Sequence, residues 1–338
     1  MELKNYNTDK IFDIPVVLFI FKRYDTVLRI LERIEVVKPS KLYIIADGPR
    51  NEQEKEMVDK CRKKVEENIT WDCEVVKNYA DTNKGVYDRI GLGAKWVFSK
   101  EEQAIFLEDD NLPEVSFFYY CKELLNKYKD DTRIMWVCGT NYLNKYEPED
   151  GSSYVFTQHL LPCGWASWSS KFCHYYDGDM ELLSNNYIIK NIEDSYYDKR
   201  LYEQQIDSVE SEYYRIKKEN RPSSWDFQMA FSIRAHNVYG ISPKYNQIEN
   251  IGVDEFSTHG GTSFSNEMTK RFCGIKSFSL EFPLVHPQTV ITDKLYERKI
   301  EKIILYPFKV RLRAKTARFI KKMFGLNKYE KFKFNLRK

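Results

Sequence analysis

The sequence predicts an α/β fold, a mostly parallel central sheet covered by helices and followed by a basic helical tail. Three observations lead there. Apolar runs of strand length, rich in β-branched residues, alternate with longer segments whose apolar residues recur at helical spacing. The runs are apolar throughout instead of alternating, as in strands covered on both faces. Polar or acidic residues stand where several runs end, and in open sheets of this kind the carboxyl ends of the strands hold the ligand.

Taken in order, residues 14–21 (IPVVLFIF) read as a buried strand with Lys22-Arg23-Tyr24-Asp25 at its exit. Val27, Ile30, Leu31 and Ile34 give residues 26–37 a helical period, and Pro39 closes that helix. Residues 41–46 (KLYIIA) form a second strand that ends in Asp47-Gly48-Pro49-Arg50. A charged helix over 51–68, a strand over 73–78, a turn at Asn83-Lys84-Gly85 and a helix over 86–99 follow. The next strand runs into Glu108-Asp109-Asp110. This β-α-β-α-β-α-β order implies right-handed crossovers.

The acid trio carries the chemistry. Adjacent carboxylates repel one another and are costly to bury without partners. Mg²⁺ or Mn²⁺ is commonly held by one or two carboxylates together with substrate phosphates. An acidic surface loop is the plain alternative, and the convergence of Arg23, Asp47 and Asp109/Asp110 at strand ends argues against it. No G-x-G-x-x-G follows the first strand and no G-x-x-x-x-G-K-[ST] occurs, which excludes the glycine-loop nucleotide folds.

Beyond the acids, residues 113–129 read as a helix, 134–138 (IMWVC) as a strand and 154–157 as a short strand. Residues 160–168 (LLPCGWASW) read as a loop before a helix, in which Trp165 offers a flat platform for a ligand and Trp168 anchors the loop. Residues 171–220 read as a polar helical insertion that cups an acceptor. Asp226 opens a further helix, either as a dipole-stabilising acid or as a general base. Residues 240–251 are strand-like. His259, followed by two glycines, is able to reach a metal or a diphosphate.

Composition narrows the class. Hydrophobic residues make up 42% of the 338, enough for a substantial core, and the seven cysteines contain no C-x-x-C pair, so they read as reduced thiols. From residue 293 to the end there are 16 Lys/Arg and 4 Asp/Glu, a balance of +12, which against the whole-chain +3 leaves −9 for residues 1–292. An acidic body with a basic tail is unlike a nucleic-acid-binding protein. The polar start of the chain carries no signal peptide and no run is long enough to span a membrane, so a cytoplasmic protein is expected. After Pro307 the tail mixes cations with apolar residues at partly helical spacing, a pattern that lies on anionic membranes. The expected organisation is a nucleotide-sugar half over 1–135, an acceptor half over 136–292 and the tail over 293–338.

The motifs FLEDDNLP, CGWASW, SWDFQM and NIGVDEFSTHGG, in that order, resemble bacterial nucleotide-sugar glycosyltransferases of the GT-A fold, which are similar in turn to the N-acetylglucosaminyltransferase I group. The resemblance spans roughly residues 14–259. It implies that Asp47 meets the uridine, that Glu108 and Asp109 meet ribose and sugar, and that Asp110 holds Mn²⁺. It implies a nucleotide contact near Arg89, a Thr258-His259-Gly260 match to a phosphate-side motif, and a base in Trp225-Asp226. Phe227 stands where the relative carries a second Asp, which leaves the base open between Asp226 and a neighbour. The implied activity is inverting transfer from a UDP-sugar to a hydroxyl of a glycan or lipid-linked acceptor, in bacterial surface polysaccharide synthesis. The rival readings are a nucleotidyltransferase, which normally carries a glycine-rich basic loop that Lys22-Arg23-Tyr24-Asp25 lacks, and a non-catalytic nucleotide-sugar-binding protein.

Overall fold

The computed structural model describes residues 12–253, 263–326 and 329. Its first half follows the expected alternation: β1 (Val16–Ile20), α1 (Tyr24–Val37), β2 (Lys41–Ala46), α2 (Glu52–Glu67), β3 (Glu74–Tyr79), α3 (Gly93–Phe98) and β4 (Gln103–Glu108). A π-helical stretch, Tyr87–Leu92, leads into α3 where one continuous helix is expected. Then come β5 (Asn111–Pro113), α4 (Val115–Lys127), β6 (Ile134–Cys138), β7 (Tyr154–Thr157), β8 (Trp165–Trp168) and α5 (Ser169–Tyr175). The chain continues with α6 (Asn186–Asp194), α7 (Lys199–Tyr214), α8 (Asp226–Ala235), β9 (Tyr239–Pro243), β10 (Ile248–Asn250), α9 (Glu267–Phe272), α10 (Lys294–Ile304) and α11 (Phe308–Met323).

The main sheet has the order β3-β2-β1-β4-β8-β6-β9-β7, and β5 pairs with β10 in a separate ribbon. β1, β2, β3, β4, β6 and β9 run one way, while β8 and β7 run against their neighbours. The mostly parallel α/β class therefore holds, with two reversed strands.

One of those strands corrects the sequence reading. Residues 165–168 are not a loop but a strand wedged between β4 and β6, with Phe106 opposite Trp165 and Cys138 beyond it. All four of its residues are buried, so both faces of the strand are covered. Gly164 opens it at φ +61°, in the left-handed region that favours glycine, and a Cβ there would lie 2.5 Å from Ile248 Cδ1. Trp165 stacks on Phe106 at 3.8 Å and on Trp136 at 4.2 Å, and Phe19 extends the stack beyond Phe106. The ladder crosses β1, β4, β8 and β6 on one face of the sheet. Both faces of the Trp165 indole are thus occupied, and it offers no platform to a ligand.

The polar insertion is broken into α5, a 3₁₀ turn, α6 and α7, and Met180, Ile192, Val209 and Phe231 give it a small core of its own. α10 belongs to the body despite the basic character of the segment after residue 293: Tyr296 and Ile300 are fully buried against the ladder's face of the sheet. Its inner side also buries Glu297 and Glu301 beside His159 and Arg234. His159 Nε2 lies 3.6 Å from Glu297 and 3.7 Å from Glu301, and Arg234 stacks on Tyr196 at 3.6 Å. Burial pushes Glu297 up to about 7 against the pull of Arg234, and burial raises Glu301 and lowers His159. Among the described residues no helix is long and apolar enough to cross a membrane.

Two outcomes follow from this packing. Trp165→Ala should cost about 3–5 kcal/mol in denaturant unfolding, the range for truncating a core aromatic, while Trp165→Phe, which keeps a ring in the stack, should cost clearly less. For Glu297 the folded carboxyl holds its proton up to about 7, above the range in which an unfolded carboxyl releases it. Folding stability should therefore fall as pH rises from about 4.5 through about 7. Melting curves of Glu297→Gln across that window should show the variant gaining on the parent as pH rises; a constant difference would mean that the carboxyl is ionised throughout.

Candidate active site

The register of the sheet brings its chemistry to one edge. Phe19 of β1 is opposite Glu108 of β4, and Ile20 is opposite Ala46 of β2, so Arg23, Asp47 and the acid trio leave the sheet side by side. The β5–β10 ribbon supports the trio from below: Asn250 is opposite Asn111, and Ile251 N donates to the Asp110 carbonyl at 2.9 Å. Asn111 acts as a strut. Its Nδ2 donates to Asp110 Oδ1 at 2.6 Å, and its Oδ1 accepts from Gly164 N at 2.8 Å, which ties the acids to the start of β8. Asn250 bonds the Asp110 side chain as well. Gly252 passes so close that a Cβ would lie 2.8 Å from Arg23 Nη1 and collide with the Asp110 carboxylate.

Arg23 Nη1 sits 3.4 Å from Asp110 Oδ2 and 3.7 Å from Asp109 Oδ1. Burial raises Glu108 well above the usual carboxylate range, and the charges of Asp110, Asp109 and Asp226 push it further while Arg23 opposes them. Burial also raises Asp110, against Arg23 and the asparagine bonds. Among the described residues Arg23 is thus the guanidinium that faces the trio, beside both Asp109 and Asp110. The donor set is hard oxygen, and the Asp109 and Asp110 side chains keep 18% and 22% exposure. Among the described residues no group of three or more His, Cys, Asp and Glu is placed to hold a metal ion, so an ion here would rest on one or two carboxylates. That combination fits Mg²⁺ or Mn²⁺ held by one or two carboxylates and completed by substrate phosphates.

Asp47 stands at the end of β2 as expected, but its carboxylate is engaged. Oδ1 accepts from Gly48 N and Lys84 N, both at 2.8 Å, and Oδ2 from Asn83 Nδ2 at 2.8 Å and Gly85 N at 3.0 Å. Four donors fill the acceptor capacity of a carboxylate. Asp47 therefore fixes the 83–85 loop, and its carboxylate is not free for the direct uridine contact expected of it. Beside it, Arg89 Nη2 donates to the Asn78 carbonyl at 2.6 Å, and Arg62 Nη2 to the Ala80 carbonyl at 2.7 Å. The Nε atoms of both arginines are buried with no hydrogen-bond partner among the described residues.

Asp226 begins α8, near enough to the acids for its charge to act on Glu108, and on Tyr142, Tyr176 and Tyr306 as well. Ser224 Oγ donates to Asp226 Oδ1 and accepts from Phe227 N at 3.0 Å. The loop before it is built on Glu212 of α7, a buried carboxylate that accepts from Ser223 Oγ at 2.7 Å and Ser224 N at 3.0 Å. Cys163 and Cys273 also border the trio. Burial raises both thiols, Cys273 to about 11, and the Asp110 charge adds to each. His259 lies outside the described residues.

Sequence reasoning missed Asn111, Asn250, Gly252, Glu212 and Arg62. Only Gly252 had a signal, as the glycine two residues after Asn250 in a loop that returns to the acids. The structure thus assembles Arg23, Glu108, Asp109, Asp110 and Asp226 in one neighbourhood, sets Asp47 and Arg89 beside it as a loop-holder and a strand-end tie, and removes Trp165 to the core.

No protein-family model matches the chain, and no curated protein matches it. Among solved structures it is similar to a mannosyltransferase from Pyrobaculum calidifontis in complex with GDP-Man and Mn²⁺, at 10% identity over 65% of this chain and 69% of that one, with a TM-score of 0.36. It is similar to mouse xyloside xylosyltransferase 1 at 10% identity over 65% and 81% of the two chains, TM-score 0.36. A UDP-glucose pyrophosphorylase complexed with UDP-glucose is similar at 9% identity over 71% and 93%, TM-score 0.34. At such scores what the protein does has to be read from the site's own geometry.

Proposed function

We propose that this protein is a GT-A-type glycosyltransferase that moves a sugar, with inversion, from a UDP-sugar to a hydroxyl of a glycan or lipid-linked glycan. The observation that carries the reading is the placing of Arg23 and the acid trio at one strand edge, within reach of the charge of Asp226. Asp110, with Asp109, would hold the Mn²⁺ or Mg²⁺, and the bound ion would supply positive charge against which a diphosphate leaves. Arg23, already beside those acids, donates to the phosphates. The buried Nε groups of Arg62 and Arg89 supply donors on the nucleotide side. Asp226 accepts the proton of the attacking hydroxyl, held in orientation by Ser224 and the loop that Glu212 orders. Glu108 and Asp109 border the donor's ribose and sugar, and His259 is a further candidate for the diphosphate.

The testing experiment is release of UDP from a panel of UDP-sugars with and without Mn²⁺. A nucleotidyltransferase would give pyrophosphate chemistry instead, and a binding module would give neither. Asp110→Ala should lower turnover by about 10²–10³ even in excess Mn²⁺, and near-normal turnover would remove the acid site from the reaction. Asp226→Asn should keep UDP binding by calorimetry and lose about 10²–10⁴ in kcat, the usual worth of a positioned base. Unchanged kcat would move the base elsewhere.

A further inference from the structure

α11 leaves the body with an apolar stripe facing outward. Phe308, Leu312, Phe319 and Met323 fall four, seven and four residues apart, on one helix face. They are 67%, 51%, 64% and 70% exposed. A neighbouring side, with Arg311, Arg318 and Lys321 half-buried, meets the body, and there Arg318 pairs with Asp207 of the acidic α7. Lys309 and Arg313 border the stripe on one flank, and Lys315 and Lys322 on the other, all exposed. None of these four cations has an acidic partner among the described residues, although the body carries the surplus of acids.

The helix is also held at a fixed angle. Arg271 Nη1 donates to the carbonyls of Ile303 at 3.0 Å and Leu305 at 2.8 Å, Gln204 Oε1 accepts from Tyr306 N at 2.7 Å, and Arg311 Nε donates to the Tyr306 carbonyl at 3.0 Å. The corner between α10 and α11 is therefore pinned to α7 and α9. From α9 the chain runs through Cys273 to Gly274, whose N donates to Asn250 beside Asp110 at 2.8 Å. The outward stripe thus starts from a corner braced against the wall of the acid site.

We propose that α11 is a docking helix for an anionic lipid surface, with Phe308, Leu312, Phe319 and Met323 entering the acyl boundary and the flanking cations meeting the headgroups. An apolar stripe bordered by cations on both sides complements such a surface in both terms at once. A second copy of this chain would present the same cations and repel them. The helix would lie on the bilayer, as no helix among the described residues is long and apolar enough to cross it. This inference stands apart from the transfer reading. If both hold, the lipid surface supplies the acceptor.

The test is sedimentation of the full chain with phosphatidylcholine vesicles, with and without phosphatidylglycerol, at low and high salt. Pelleting should need the anionic lipid and weaken with salt. Lys309→Gln with Lys322→Gln should lower partitioning about thirtyfold, at roughly a factor of five for each cation near the surface. Phe319→Ser with Met323→Ser should lower it more than tenfold. These side chains are exposed, so both variants should fold and release UDP in solution as the parent does. Equal pelleting on neutral and anionic vesicles overturns the proposal. So does a stripe variant that pellets like the parent, or a parent that dimerises through the stripe in sedimentation equilibrium. Vesicle binding without any UDP-sugar turnover sinks the transferase reading and upholds this one.

Discussion

The structure depends on keeping three consecutive carboxylates together at the tip of a buried strand. Each would be more stable in water, and each raises the cost of ionising the next. The fold meets part of that cost with groups drawn from remote parts of the chain. It sets one guanidinium, Arg23, at 3.4–3.7 Å from two of them and braces Asp110 with two asparagine side chains. The trio is held in place by hydrogen bonds, and a ligand that brought positive charge would ease the repulsion within it.

The brace works only because β8 runs backward between β4 and β6. Gly164 N, at the head of that strand, donates to the same Asn111 that bonds Asp110. The Phe106–Trp165–Trp136 stack then fixes β8 laterally. Trp165 thus serves the site from within the core. Its large buried surface sets the register that puts Asn111 under the acids, and the same burial keeps it from ligand.

Much of this was legible in the sequence. β1, β2, β4 and β6 sit where continuous apolar runs place them, because a fully buried strand needs no partner information to be recognised. β8 was not, because four residues beginning Gly-Trp look like a turn until both neighbouring strands are known. Asp47 shows the same limit at the site. Its position at a strand end was readable, but its donors come from residues 36–38 further along, so its engagement with the loop was not. The asparagine struts and Glu212 carry no local signature at all, since their function is a distance to residues remote in the chain.

Charge gives the last link. The segment after residue 293 is uniformly basic in sequence, yet the structure divides it by what each helix does with its acids and apolar residues. α10 turns Tyr296, Ile300, Glu297 and Glu301 inward and becomes part of the core. α11 buries nothing completely and gives the body only its Arg311, Arg318 and Lys321 side. Had the tail served only to balance the acidic body, its remaining cations would gain most by turning to α7 as Arg318 does, and its phenylalanines by turning under them. Their outward arrangement costs solvent-exposed apolar area on every turn, which a folded chain retains where another surface covers it.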